Sequence, residues 1–163
     1  MDTLFIFDLD DTIVSPDRQK DAYSMYLKPV HNDISVMMSL FKDINTDKVI
    51  VTNRHPLLQT QLEREYGCRV YCRDYCLTIQ EMMNHIGGSK WFYQEMGRYK
   101  IDTVNKLARD YDYVIFFDDM MHIYELEYLL PNVYIRLPYH LLENGQSEID
   151  GLIDTLVRCN CDG

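Results

Sequence analysis

Two hydrophobic periods divide this chain of 163 residues. Short, mostly apolar runs at 4–7, 48–51, 69–72, 113–117 and 133–136 predict five strands. The first and fourth are rich in β-branched and aromatic residues at consecutive positions, the pattern of strands buried on both faces of a parallel sheet. Between the runs, apolar residues recur at one-face helical spacing: Ile34, Met37, Met38 and Phe41; Leu58, Leu62 and Tyr66; Val104, Leu107 and Ala108; Ile123, Leu126 and Leu130; Ile149, Leu152, Ile153 and Leu156. Strands and helices in alternation predict an α/β domain, doubly wound, with a mainly parallel five-stranded sheet and helices on both faces.

Local signals place the boundaries. Asn32 and Asp33 suit a helix N-cap, Pro56 a first turn, Gly67 a helix end, Pro131 a stop, and Ser147 with Asp150 a capping box. A helix is expected over 78–85, ending at Gly87 and Gly88, and another over about 102–109. The stretch around 13–31 is polar and broken by prolines, so it reads as a small flap, and the aromatic segment within 74–99 reads as a small cover. No repeat or linker interrupts residues 1–163, which suit one domain with a full core.

Charge and cysteines narrow the setting. With 26 acidic and 16 basic residues the formal net charge is −10, which suits a solvated surface and does not favour a large nucleic-acid interface. No run is long and apolar enough to span a bilayer, and the start lacks a basic region followed by an apolar core, so a cytoplasmic protein is expected, with no membrane partner. The five cysteines, Cys68, Cys72, Cys76, Cys159 and Cys161, lack zinc-knuckle spacing and are expected as free thiols.

Candidate chemistry lies where strands end. The first strand runs into Asp8 and Asp10, the second into Thr52 and Asn53, and the fourth into Asp118 and Asp119. All carboxyl ends of a parallel sheet share one side, so these residues are expected to meet at a single edge. Carboxylates that close repel by several kcal/mol unless a cation intervenes, which points to a divalent metal and to phosphate chemistry. One aspartate can attack phosphorus to give an aspartyl-phosphate while a second protonates the leaving oxygen and then activates water; Asp8 and Asp10 supply that pair.

DLDDT at Asp8 to Thr12, the threonine ending VIVT at Thr52, Lys100 opening a helix and FFDD ending in Asp118 and Asp119 resemble the four ordered motifs of the haloacid dehalogenase superfamily of phosphohydrolases. The resemblance implies Asp8 as nucleophile and metal ligand, and Asp10 as general acid/base whose backbone carbonyl also binds the metal. It further implies Thr52, the backbone N–H of Asn53 and Lys100 as phosphate-binding groups, and Asp118 and Asp119 as ligands of Mg²⁺. Thr12 and Arg54 are candidates for substrate contact; Arg54 and His55 either read the substrate or cap the following helix. Neither insertion point for a cap is long enough for a large one, so an open site is expected.

Within the superfamily, residues 99–127 look most like the polynucleotide 3′-phosphatase domains. The expected function is a Mg²⁺-dependent phosphatase acting on a nucleotide, a nucleic-acid end, a phosphoprotein or a small ester. The alternatives are a catalytically silent phosphate-binding or regulatory module and a phosphotransferase.

Overall fold

The computed structural model describes residues 2–10, 12–14, 35–74, 89–118 and 126–136. Its strands are β1 (Thr3–Phe7), β2 (Lys48–Val51), β3 (Arg69–Tyr71), β4 (Tyr113–Phe117) and β5 (Val133–Arg136); its helices are α1 (Ser35–Asp43), α2 (Gln59–Tyr66) and α3 (Ser89–Ala108). The five strands form one sheet in the order β3-β2-β1-β4-β5. Every neighbouring pair is parallel.

Period-2 alternation along β1 builds two apolar clusters. Phe5 and Phe7 pack with Met37, Leu40 and Phe41 of α1 and Leu62 of α2, whereas Leu4 and Ile6 pack with Ile101, Val104 and Ala108 of α3. Phe7 anchors the first cluster through an edge-on contact with Phe41, centroids 5.2 Å apart, and a stacked contact with Phe117 at 5.1 Å. With both faces covered, the centres of β1 and β4 are dry and their backbones are satisfied by neighbouring strands.

Local signals explain the helix ends. Lys48 donates from Nζ to the carbonyls of Phe41 at 2.5 Å and Ile44 at 3.1 Å, placing a cation at the end of α1. Pro56 opens a 3₁₀ turn (Pro56–Leu58) that His55 caps by accepting from the Leu57 N–H at 3.1 Å, and α2 continues from it. Gly67 then ends α2 in the left-handed region, φ +67°, as its position in the sequence predicts.

Three expectations change. The helix expected from about residue 102 begins at Ser89, so 89–99 form its first half and Lys100 lies in its interior. The helix expected through Leu126 and Leu130 is, among the described residues, a single 3₁₀ turn, Leu126–Tyr128. Asn105 explains it, donating to the Tyr128 carbonyl at 2.7 Å and accepting from the Leu130 N–H at 3.0 Å, so groups that a helix would pair internally are paired with α3 instead. Ile13 and Val14, at the head of the expected flap, are buried in the core after the chain turns back on the Leu9 carbonyl. The expected helices at 78–85 and 147–156, and most of the flap, fall outside the described residues.

Candidate active site

The strand order reverses between β1 and β4, and in open parallel sheets ligands bind beyond the carboxyl ends at such a point. The β1–β4 register pairs Phe7 with Phe117, so the next residue of each strand, Asp8 and Asp118, emerges at the same level. The Asp8 N–H donates to the Phe117 carbonyl at 2.8 Å, which fixes the two strand ends together.

The buried polar residues concentrate at this rim. Among the described residues, Asp8, Asp10 and Thr12 follow β1, Thr52 to His55 follow β2, Arg73 follows β3 and Asp118 follows β4; Lys100 of α3 completes the set. Burying charge without partners is strongly unfavourable, so such a cluster persists only when its members compensate one another. Here they do.

Lys100 is the hub. Its Nζ donates to Asp8 Oδ1 at 2.5 Å and to Asp118 Oδ2 at 2.8 Å, from a side chain only 3% exposed. Burial alone would pull the Lys100 pKa down; Asp118 and Asp8 overcome it and drive it up, so the ammonium stays charged. The Thr12 hydroxyl donates to Asp8 Oδ2 at 3.4 Å, the other oxygen of that carboxylate. Tyr99 donates its hydroxyl to the Cys72 carbonyl, tying α3 to the end of β3 one residue before Lys100.

A second pair lies beside the first. Arg54 grips Asp10 with both ends of its fork, Nη2 to Oδ1 at 2.8 Å and Nε to Oδ2 at 3.2 Å. Both side chains are under one-tenth exposed. His55 takes the capping alternative, at the turn that leads into α2, whereas the Arg54 side chain makes a contact that neither alternative named, with Asp10.

Of the expected site residues, the structure brings Asp8, Asp10, Thr12, Thr52, Asn53, Arg54, Lys100 and Asp118 to one edge; Asp119 lies outside the described residues. Lys100 arrives from a helix interior, so a helix N-terminus does not explain its placement. Carboxylate crowding is met by Lys100 and Arg54, so it does not by itself demand a metal. Among the described residues no three His, Cys, Asp or Glu side chains form a metal-holding group.

Arg73, 1% exposed, is the buried cation that the sequence reading missed. It donates from Nη1 to the Asn53 carbonyl at 2.9 Å, and its N–H donates to the Arg54 carbonyl at 3.2 Å. The signal was available: a charged residue just beyond a strand of a parallel sheet is the same feature that singled out the aspartates. Asn53 is 2% exposed, and among the described residues neither polar atom of its side-chain amide has a hydrogen-bond partner, a costly arrangement for a buried amide.

No protein-family model, curated protein or solved structure matches the chain.

Proposed function

We propose that the chain is a Mg²⁺-dependent phosphatase that hydrolyses phosphomonoesters through an aspartyl-phosphate on Asp8, in a doubly wound domain of the haloacid dehalogenase type without a large cap. The observation that carries this reading is the buried Asp8–Lys100–Asp118 array at the point where the strand order reverses. Phosphoryl transfer needs charge neutralisation and in-line positioning more than covalent chemistry, and this array combines a carboxylate nucleophile with a fixed cation.

Charge balance supports the metal. Among the described residues, the buried charged groups at the rim are the Asp8 and Asp118 carboxylates, Asp10, which carries the transferable proton before the first step, and the cations Lys100, Arg54 and Arg73. A dianionic phosphoryl group entering this set leaves negative charge unmatched in a desolvated place, which a divalent cation offsets. The donor set fits a hard ion, because the Asp8 and Asp118 carboxylates already converge on one cation, Lys100. Asp8, Asp118 and the Asp10 carbonyl would hold Mg²⁺, which would supply Lewis-acid neutralisation of the phosphoryl oxygens.

Asp8 then attacks phosphorus while the Asp10 carboxyl gives its proton to the leaving oxygen. The Asp10 carboxylate next takes a proton from water as that water attacks phosphorus, which frees phosphate and restores Asp8. Lys100 orients Asp8 and neutralises charge on it and on the phosphoryl group. Thr52, the Asn53 N–H and the Asn53 side-chain amide, without a partner among the described residues, offer hydrogen bonds to the phosphoryl oxygens or the adjoining part of the substrate.

The substrate is a nucleotide, a nucleic-acid end, a phosphoprotein or a small ester. With Mg²⁺ the protein is expected to hydrolyse 4-nitrophenyl phosphate, and Asp8→Asn or excess EDTA is expected to abolish release of phosphate. Metal-dependent phosphate binding without turnover would identify a silent binding module instead. Product bearing phosphate in place of free phosphate would identify a transferase.

A further inference from the structure

Asp10 is held on both carboxylate oxygens by one guanidinium, at 2.8 and 3.2 Å. A bidentate fork fixes the plane of a carboxylate as well as its position, which a single point charge does not. The fork is itself fixed from behind. The Arg54 N–H donates to Thr52 Oγ1 at 3.2 Å, and Arg73 holds the carbonyls of both Asn53 and Arg54. A chain of contacts therefore runs from the end of β3, through the segment after β2, to the carboxylate after β1.

We propose that Arg54, backed by Arg73, is the positioning residue that aims the Asp10 carboxyl at the leaving oxygen and thereby sets how basic a leaving group the enzyme can expel. This inference rests on the phosphatase reading above. In the first step the bond from Asp8 to phosphorus forms, the bond from phosphorus to the leaving oxygen breaks, and the Asp10 proton passes to that oxygen. The Asp10 carboxylate so produced remains on the Arg54 fork, which stabilises its charge and keeps it placed to accept a proton from the water of the second step. Loss of the fork leaves attack by Asp8 intact but misplaces the proton, and only leaving groups that need the proton suffer.

The test is a series of phosphomonoesters graded from 2,4-dinitrophenyl phosphate to a simple alkyl phosphate, with Mg²⁺, on the wild-type chain and on Arg54→Ala, Arg54→Lys, Asp10→Asn and the Arg54→Ala/Asp10→Asn double variant. For Arg54→Ala, kcat is expected to fall about a hundredfold on the alkyl ester and only a few-fold on the dinitrophenyl ester. Arg54→Lys keeps the charge without the fork and should fall between the wild type and Arg54→Ala on the alkyl ester. The double variant should be no slower than Asp10→Asn, because Arg54 acts through Asp10. Equal losses across the series, or a double variant much slower than Asp10→Asn, would overturn the role of Arg54 and leave the phosphatase reading standing. If Arg54→Ala fails to fold, Arg54→Lys against the same series decides by the same criterion. A wild-type chain that hydrolyses no member of the series sinks both readings.

Discussion

At the residue scale, one ammonium, Lys100, stands between two buried carboxylates, Asp8 and Asp118. Removing one member of a buried ion set leaves uncompensated charge, so Lys100→Met is expected to lower the unfolding free energy by about 3 kcal/mol or more, read by urea titration in EDTA. A loss of about 1 kcal/mol or less would mean that the array behaves as a solvated surface pair. The aspartates of this array were legible because they end apolar strands of one parallel sheet, whose carboxyl ends share a side. The partners were less so: nothing in the spacing of Asp10 and Arg54 shows that they meet, since their contact is made by the parallel pairing of β1 with β2. Lys100 was found through the order of motifs, and its expected setting at a helix start was wrong.

At the element scale, that misreading has a physical cause. The first half of α3 reads SKWFYQEMGRYK, where clustered aromatics and Gly97 weaken helical propensity and blur the apolar stripe, so only its second half showed a clear period. The end of α2 was plain, because Gly67 takes a left-handed conformation with open space around it. Gly67→Ala is expected to cost about 1 kcal/mol through backbone strain alone, measured by denaturant unfolding, and no loss would contradict that conformation.

Strand β3 is flanked by Cys68 and Cys72, free thiols that burial pushes up from 9.0 to about 11. In the unfolded chain these thiols ionise near 9.0, while the folded ones stay protonated until about 11, so the folded state binds more protons in that window. Their contribution to stability is complete below pH 9.0 and is lost as pH rises toward 11. Denaturant midpoints compared below and within this window should fall less in the Cys68→Ala/Cys72→Ala variant than in the wild type; an equal fall would contradict the thiols' part.

At the scale of the whole molecule, the alternation of strands and helices made the parallel α/β sheet legible, and the order β3-β2-β1-β4-β5 supplies what alternation cannot: the reversal between β1 and β4 that brings Asp8 and Asp118 side by side. Burial of polar residues at one rim is then a consequence of topology, because every parallel strand delivers its last residue to the same edge. The proposed covalent step at Asp8 is therefore the sharpest point for a test. The chain would be incubated with 4-nitrophenyl phosphate and Mg²⁺, quenched, reduced with borohydride and digested for peptide mass spectrometry. Homoserine in place of Asp8, the product of reducing an aspartyl-phosphate, is the expected result. Substrate turnover with Asp8 unmodified throughout would contradict the account.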